Sequence, residues 1–536
     1  MARLTLILSL VTAVIALLGG FRFLVNEWRL WRVRRTLIPV LILSALSMPS
    51  IVSAASHYVL QGASGSANGS DWTNACTDFT GSCAVGSLVR GDTYYVGNGS
   101  YAATTFSTAA SGTSVITILK ATVAAHGTST GWVDTMGNGV ATFSCTVTFS
   151  TPYWVFDGVS GPLQSRTPSA YGFNMAQCAS PFDTSSTSTN VTVSHVSALA
   201  DAANVEKIFL TGRASNLSVT HNLLNGFQNC MMTRGPDFAQ KDNWVFDYNV
   251  HLNQYSSTTN HAECLNANEA NLGNLNARWN VFEGWSNDIS TAVIVANNSN
   301  VTSALVCGNT FNDVSGANGI ITGTSVGRMT NVRVINNSFY NFATGCNPSC
   351  FWLGASVPAG TGNIAINNVL RSMSLNSDSE WTTNYGLYSS TTGTPTGSNN
   401  ISNSIDPFVN AAGGNFALSA ATTAGQTQTD CLTDALGNTR GADGTWDRGA
   451  FEFVAGGVSP PSSSPTASVV ARFVRFIELC LPITGIAWHF RRGIAAVTRA
   501  AIYAAYRLQV GMRLTVLVMA EPLAVKYVEW ARKARV

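Results

Sequence analysis

The sequence predicts an all-β solenoid of stacked strands, and three observations carry that prediction. One pattern recurs at spacings of 27, 31, 29 and 28 residues around a shared asparagine, at Asn222, Asn249, Asn280, Asn309 and Asn337. Apolar residues lie five and three positions before each asparagine, which is the two-residue period of a strand with one buried face. No stretch between the asparagines is helical for long enough to form a leucine-rich or tetratricopeptide repeat, so each repeat is a rung of strands and turns.

The residues after each asparagine complete the rung. In most copies apolar residues follow two and five positions later, and a further apolar run comes next: CMMT, ECLNA, TAVIV, GIITG and CFWLG. Rungs stacked about 4.8 Å apart place the asparagines above one another, where their amides can hydrogen-bond along the stack. Weaker copies of the pattern at Val196 and Val369 lack the asparagine. We therefore predict a structural asparagine ladder.

This pattern resembles the right-handed parallel β-helix of the pectate-lyase-like superfamily, whose rungs are of similar length and often carry an internal asparagine ladder. The resemblance extends from Tyr58 to Phe453, and the stretch from Ile405 to Phe453 resembles the terminal cap of bacterial β-helix proteins. It implies one right-handed parallel β-helix domain over residues 55–455. A shared fold does not specify a reaction.

The N-terminal segment, residues 1–54, is predicted to be a signal peptide or membrane segment. Leu4 to Val25 is nearly long enough and apolar enough to span a membrane. A second apolar run, Leu37 to Met48, follows a basic flank and leads to a small-x-small end at Ala54, which is typical of a cleaved signal peptide. An uncleaved double anchor and a later translation start are the alternatives.

The C-terminal segment has two parts. Residues 456–468 form a Pro/Ser-rich linker, and residues 469–536 form a basic, apolar tail with interrupted hydrophobic runs. We predict a helical tail that lies on an anionic membrane surface, so that both termini associate with the membrane. A misannotated end of the chain is the alternative.

Charge is unevenly distributed. Residues 55–465 contain 13 basic and 24 acidic side chains, a net charge of −11, whereas the ends carry +5 and +8. Nucleic-acid recognition depends on a basic surface, so the acidic body excludes nucleic acid as a partner. An acidic body also repels polyuronates unless calcium bridges them.

Ten of the eleven cysteines lie in the body. An even number of cysteines behind an export signal predicts disulfides in an oxidising compartment. The predicted pairs are Cys76–Cys83, Cys145–Cys178, Cys230–Cys264 and Cys346–Cys350. Zinc ligation is the alternative, but no CxxC pair is present.

Polar groups are concentrated in three consecutive rungs. His261 and Glu263 are two apart and would share a face of a strand, so the carboxylate could orient the imidazole as a catalytic acid/base pair. The segment Asn260-His261-Ala262-Glu263 also resembles a His-Ser-Glu-Gly motif of secreted β-helix proteins. A structural hydrogen-bonded pair is the alternative. Candidate substrate-binding residues are Arg234, Lys241, His251 and Asp288.

Two further features have open interpretations. His251 stands where other rungs have leucine or phenylalanine, and a one-residue insertion would make it part of a bulge, either beside an active site or merely on the surface. Four aspartates near the end of the body could bind calcium, but aspartate in tight turns is the preferred explanation: Asp430, Asp434, Asp443 and Asp447. No other metal or cofactor is predicted.

Together these features predict an exported, membrane-associated protein that binds or cleaves an extracellular polysaccharide. Glycoside hydrolysis needs two opposed carboxylates, whose separation depends on the fold. A polysaccharide lyase needs a basic side chain that removes a proton, and Lys241 is the only lysine near the polar rungs. A non-catalytic adhesin or structural surface protein is the alternative.

Overall fold

A computed structural model of the chain describes residues 54–454, except for 160–162, 202–205, 235–237, 255–261, 287–290, 297–298, 316–320, 324–328, 341–361, 371–372, 375–380, 389–390, 393–396, 402–405 and 412–413. The chain divides into two units, Met1–Ala455 and Gly456–Val536, and the described residues belong to the first. Both terminal segments, the Cys346–Cys350 pair, His261 and Asp288 lie outside the described residues.

Three parallel sheets form the body. Sheet 1 has twelve strands: Ser56–Val59, Thr93–Val96, Ile116–Lys120, Trp154–Asp157, Val191–Ser194, Leu217–Thr220, Val245–Asp247, Leu275–Arg278, Ala304–Cys307, Val332–Ile335, Asn363–Ile366 and Trp381–Asn384. Sheet 2 has eleven: Gly99–Tyr101, Ala141–Phe143, Phe173–Cys178, Val196–Ala200, Leu223–Asn225, Val250–Leu252, Val281–Ser286, Thr310–Ser315, Ser338–Tyr340, Val369–Leu370 and Leu387–Tyr388. Sheet 3 has eight: Thr104–Phe106, Val147–Phe149, Phe182–Thr184, Ile208–Gly212, Asn229–Thr233, Ala262–Ala267, Thr291–Ala296 and Ile321–Gly323.

In the regular rungs, successive circuits add one strand to each sheet, so the body is a parallel β-helix, as predicted. The remaining described strands form three two-stranded sheets: Phe238–Asp242 with Ala270–Gly273, Met373–Ser374 with Thr391–Thr392, and the antiparallel Phe408–Asn410 with Asn415–Leu418. The described helices are single 3₁₀ turns at Gly81–Cys83, Asp134–Met136 and Pro168–Ala170. None of the described residues belongs to a helix of the length and apolarity that a membrane span requires.

The asparagine ladder is confirmed, and Asn280 shows its pattern. Asn280 Oδ1 accepts hydrogen bonds from the backbone N–H and the Nδ2 of Asn249, at 2.8 and 3.2 Å. Its own Nδ2 donates to Phe246 O at 2.7 Å and to Asn309 Oδ1 at 2.9 Å. Asn280 is only 1% exposed, so these bonds replace those that water would make to its amide.

The ladder has one more member than the sequence analysis assigned. Asn337 donates from its backbone N–H and its Nδ2 to Asn368 Oδ1, each at 3.0 Å. The predicted copy at Val369 is therefore one residue too late, and the true spacing of 31 residues equals that between Asn249 and Asn280. The assignment of Val196 is correct, since its N–H donates to Asn222 Oδ1 at 2.9 Å.

Four disulfides join described residues, three of them as predicted: Cys76–Cys83, Cys145–Cys178 and Cys230–Cys264. The fourth, Cys307–Cys431, joins residues 124 apart in sequence and was not predicted. Disulfides persist in oxidising compartments, so these bonds support the predicted export.

The C-terminal part of the body, residues 421–454, packs on the later strands of sheet 1. Besides the Cys307–Cys431 disulfide, Asp430 pairs with Arg333 and Trp446 Nε1 donates to Asn336 Oδ1 at 3.1 Å. The other carboxylates considered for calcium accept backbone N–H groups of nearby turns, which agrees with the turn explanation: Asp434, Asp443 and Asp447.

Candidate functional site

Glu263 lies in a buried polar cluster. It is 5% exposed, and its Oε2 accepts a hydrogen bond from Asn266 Nδ2. Burial raises the pKa of Glu263 to about 7, because the charged carboxylate is poorly solvated. Three further buried amide atoms have no hydrogen-bond partner among the residues that the structure describes: Gln228 Nε2, Gln254 Oε1 and Asn266 Oδ1. The carboxyl could therefore exchange a proton near neutral pH, but it offers little surface to a polymer.

Arg234 and Lys241 lie in different surroundings. Arg234 is partly exposed and pairs with Glu206 and with Glu269, the latter at 3.1 Å. Lys241 is 6% exposed, in the strand Phe238–Asp242. The described members of the predicted site therefore do not form one open surface.

The bulge interpretation of His251 is wrong. Its strand pairs in register with both neighbours, so that His251 lies opposite Leu224 on one side and Phe282 on the other, with no inserted residue. The side chain is 0% exposed, with Nδ1 3.3 Å from Cys230 Sγ and Nε2 3.1 Å from Phe227 O. Burial lowers the pKa of His251 to about 3, so the imidazole is neutral and presents no surface to a ligand.

The structure brings together a different set of side chains at the turn from sheet 1 to sheet 2. The residue before each ladder position has a left-handed backbone in most rungs, with φ of 53°, 58°, 57° and 55° at four successive ones. These four carry rings, which we call the ring column: His195, His221, Tyr248 and Trp279. Their ring centroids are 5.0, 4.8 and 4.7 Å apart in order, and the rings are stacked. Because the rungs are in register, each of these rings stacks on the ring of the next rung along the helix axis.

A carboxylate orients the first ring. Asp157, at the end of its strand in sheet 1, lies with Oδ1 2.6 Å from His195 Nδ1, and both side chains are partly exposed. Burial acts to raise the pKa of Asp157, but hydrogen bonding and charge from His195 outweigh it and hold that pKa below its ordinary value. With Nδ1–H donated to the carboxylate, Nε2 is the acceptor nitrogen of the neutral imidazole.

The second ring is a neutral base. Burial, followed by the neighbouring His195, lowers the pKa of His221 to about 4. Its ring is stacked between those of His195 and Tyr248. Neither of its nitrogens is hydrogen-bonded to any residue that the structure describes. At neutral pH His221 can therefore accept a proton or a hydrogen bond from a ligand.

The far end of the column is closed by Trp279. The Arg278 guanidinium lies 4.8 Å from its ring centroid and binds Asp247 with Nε and Nη2, at 3.1 and 2.5 Å. Trp279 Nε1 donates to Thr433 O at 3.1 Å, and Gln164 Nε2 donates to Trp279 O. The C-terminal segment therefore contacts the indole of Trp279, and the loop after Asp157 contacts its backbone carbonyl.

The next rung has Gly308 in place of a ring. Its φ is +64°, and a Cβ built there would lie 2.8 Å from Trp279 Cδ1. A side chain at this position would displace the indole, so glycine ends the column.

Neither Asp157 nor the four residues of the ring column are among the site residues predicted from the sequence. The available signal was the residue before each ladder asparagine, which carries a ring in three successive rungs: His221, Tyr248 and Trp279. Asp157 lies two rungs before Asn222, where no asparagine marks the register. Chemically, an oriented imidazole beside a neutral one is suited to general acid–base catalysis.

No protein-family model and no curated protein matches the sequence. Among solved structures, the chain is similar to pectate lyase Pel9A, with a TM-score of 0.37 and 15% identity over 75% of this chain and 98% of that chain. It is also similar to the PL6 family polysaccharide lyase Pedsa3628 from Pseudopedobacter saltans, with a TM-score of 0.33 and 11% identity over 65% of this chain and 95% of that chain. Similarity at this level does not indicate a shared activity, and the fold assignment rests on the three parallel sheets.

Proposed function

We propose that this protein is an exported β-helix protein that binds and cleaves a polysaccharide at the ring column. The observation that carries the proposal is the Asp157–His195 pair beside the neutral His221, on a partly exposed edge of sheet 1. Fully buried polar groups elsewhere serve packing and hydrogen bonding, whereas these imidazoles combine partial exposure with the means to move a proton.

Each group has a distinct role in this proposal. Cleavage of a glycosidic bond needs a proton for the departing oxygen, and a base that takes a proton from water in hydrolysis or from carbon in elimination. The neutral His221 serves as the base. His195, when protonated, serves as the acid, and Asp157 stabilises the imidazolium and fixes its orientation. The two carboxylates Asp157 and Asp247 are held by His195 and Arg278, so a two-carboxylate hydrolase mechanism is less well supported.

Replacement of the acid–base groups tests the site. Asp157→Asn, which removes the carboxylate that orients the acid His195, and His221→Asn, which removes the base, are each expected to lower the cleavage rate by about 10²–10⁴-fold. Asparagine at position 221 tolerates the left-handed backbone, so the fold is kept. The measurement is release of reducing ends and of unsaturated sugars from a polysaccharide panel by the full-length protein.

His126→Ala is the matched control, since His126 is a partly exposed histidine stacked on Trp132 in the N-terminal region. It should retain activity. If Glu263→Gln abolishes cleavage while Asp157→Asn does not, the catalytic centre is the originally predicted His261–Glu263 pair. Binding without cleavage by the wild-type protein would indicate the adhesin alternative.

The proposal includes retention at a membrane through the basic tail. Each basic residue near an anionic surface contributes up to about 1 kcal/mol, and residues 466–536 contain eleven of them. Deletion of residues 466–536 should move the protein from the membrane fraction into the soluble exported fraction. Soluble fractionation of the full-length protein would show that the tail is no anchor.

A further inference from the structure

Every lysine and arginine of the body that the structure describes is buried, hydrogen-bonded to backbone or paired with a carboxylate. The three lysines are buried, with 1%, 2% and 6% exposure: Lys120, Lys207 and Lys241. Two arginines are also buried, Arg440 and Arg448. Arg90 donates to the backbone carbonyls of Ala109 and Pro152 among others, and its guanidinium lies 4.7 Å from the Trp154 ring centroid. None of these six presents an open cationic group.

The remaining five described arginines are paired with carboxylates. The pairs are Arg166–Glu283, Arg213–Asp183, Arg234 with Glu206 and Glu269, Arg278–Asp247 and Arg333–Asp430. Two of them flank the ring column, since Arg278 lies over Trp279 and Arg166 is two residues from Gln164, which binds Trp279 O. Even beside the proposed site, therefore, each cation is neutralised by the protein itself.

Acidic groups outnumber basic ones by 24 to 13 across residues 55–465. A polymer carboxylate entering the site would meet this negative field, and it would have to displace a protein carboxylate to reach a guanidinium. Displacement leaves the released carboxylate without its partner, so the exchange gains little energy.

The surface next to the column offers hydroxyl groups instead. On the strands Val191–Ser194 and Leu217–Thr220 the inward residues are buried valines and a leucine, and the alternating residues Thr192, Ser218 and Thr220 are partly exposed on the other face. Hydroxyls donate and accept hydrogen bonds without charge, which matches the hydroxyls of a sugar.

We propose that the polysaccharide bound at the ring column is uncharged, either a neutral polymer or one whose carboxylates are esterified. This inference rests on the proposed function and narrows its substrate class. It sets the protein apart from one that recognises a polyanion through arginine or lysine, because the described surface holds no such group unpaired.

Matched polymers that differ only in charge provide the test. Hydroxyethylcellulose is compared with carboxymethylcellulose, and highly methyl-esterified pectin with its de-esterified form, by affinity electrophoresis of the full-length protein. In whichever polymer pair binds, the Kd for the uncharged polymer should be at least about tenfold lower than the Kd for its anionic counterpart at low salt. Sodium chloride should narrow that difference by screening the repulsion, while leaving the Kd for the uncharged member unchanged.

A variant that frees one arginine tests whether an unpaired guanidinium increases the affinity for an anionic polymer. Glu283→Gln releases the Arg166 guanidinium, whose Nη2 lies 2.5 Å from Glu283 Oε2 in the wild-type protein. The affinity of the Glu283→Gln variant for the anionic polymer should rise several-fold, and its affinity for the uncharged polymer should stay the same. Asp78→Asn, which removes a carboxylate that has no ion pair among the described residues, is the control for net charge.

The outcomes separate this inference from the function on which it rests. Tighter binding of the anionic member, with or without calcium chloride, overturns the inference and leaves a polysaccharide-acting protein. Failure of every polymer in the panel to bind or to be cleaved overturns the proposed function itself. An equal response of Glu283→Gln and Asp78→Asn would show that overall charge, rather than the Arg166 pair, governs recognition, and would contradict the local argument.

Discussion

Asn280→Leu is expected to lower the free energy of unfolding by at least about 2 kcal/mol. The change removes four side-chain hydrogen bonds, and it leaves Asn249 N–H without its acceptor and Phe246 O without its side-chain donor. Asn249 Nδ2 still donates to Val219 O, and Asn309 Oδ1 still accepts from the backbone N–H of residue 280. Each group left without its partner costs about 1–3 kcal/mol. The measurement is the urea concentration at half-unfolding, followed by far-UV circular dichroism.

Asn276→Leu is the matched control. Asn276 lies on the same rung as Asn280, on the partly exposed face of the strand Leu275–Arg278, and takes no part in the ladder. The same substitution there should change stability by less than about 1 kcal/mol, as is usual for surface positions. Equal losses in the two variants would show that the ladder amides do not stabilise the stack.

The second large effect is a dependence of stability on pH. His251 has a pKa of about 3 in the folded protein and about 6.5 when unfolded, so the unfolded state binds its proton first as the pH falls. The neutral, buried form is therefore fully stabilising above pH 6.5, and its contribution is lost progressively below that value. At 1.36 kcal/mol per pKa unit, the loss between pH 6.5 and pH 4 is about 3 kcal/mol.

His251→Phe should remove that loss, because phenylalanine does not titrate and occupies the equivalent position in the next rung at Phe282. The difference in unfolding free energy between the variant and the wild type should shift by about 3 kcal/mol in favour of the variant as the pH falls from 7 to 4. Leu224→Phe, in the same column, alters packing without removing a titrating group and should keep the wild-type dependence. Parallel pH profiles for His251→Phe and the wild type would contradict the burial of a neutral imidazole.

The repeating part of the fold could be predicted because each rung repeats the same physical requirement. A buried amide needs partners above and below, so the asparagine recurs wherever the stack is regular, from Asn222 to Asn337. The same regularity placed Cys230 and Cys264 on adjacent rungs and predicted their disulfide correctly. The periodicity of the sequence therefore predicted both the stacked architecture and the disulfide between neighbouring rungs.

Features that depend on contacts between distant segments could not be predicted in this way. Cys307 and Cys431 are joined only because the C-terminal segment packs on sheet 1, and no spacing indicates that contact. The position of His251 was also predicted wrongly. A polar residue among apolar ones suggested a shifted strand register, but the register is regular and the buried imidazole is hydrogen-bonded to Phe227 O. The Asp157–His195 pair joins neighbouring rungs in a region without ladder asparagines to align them.

The left-handed turn of the rungs also bears on how such a protein can diversify. The four rungs of the ring column each present one partly exposed side chain on the same line, at intervals of about 4.8 Å, and that side chain does not contribute to the hydrophobic core. One substitution there exchanges a single chemical group at a fixed distance from its neighbours, and duplication of a rung lengthens the row by one interval. Substitutions on this line can therefore change which groups the surface offers to a repeating polymer, at fixed spacing, without changing the residues of the core.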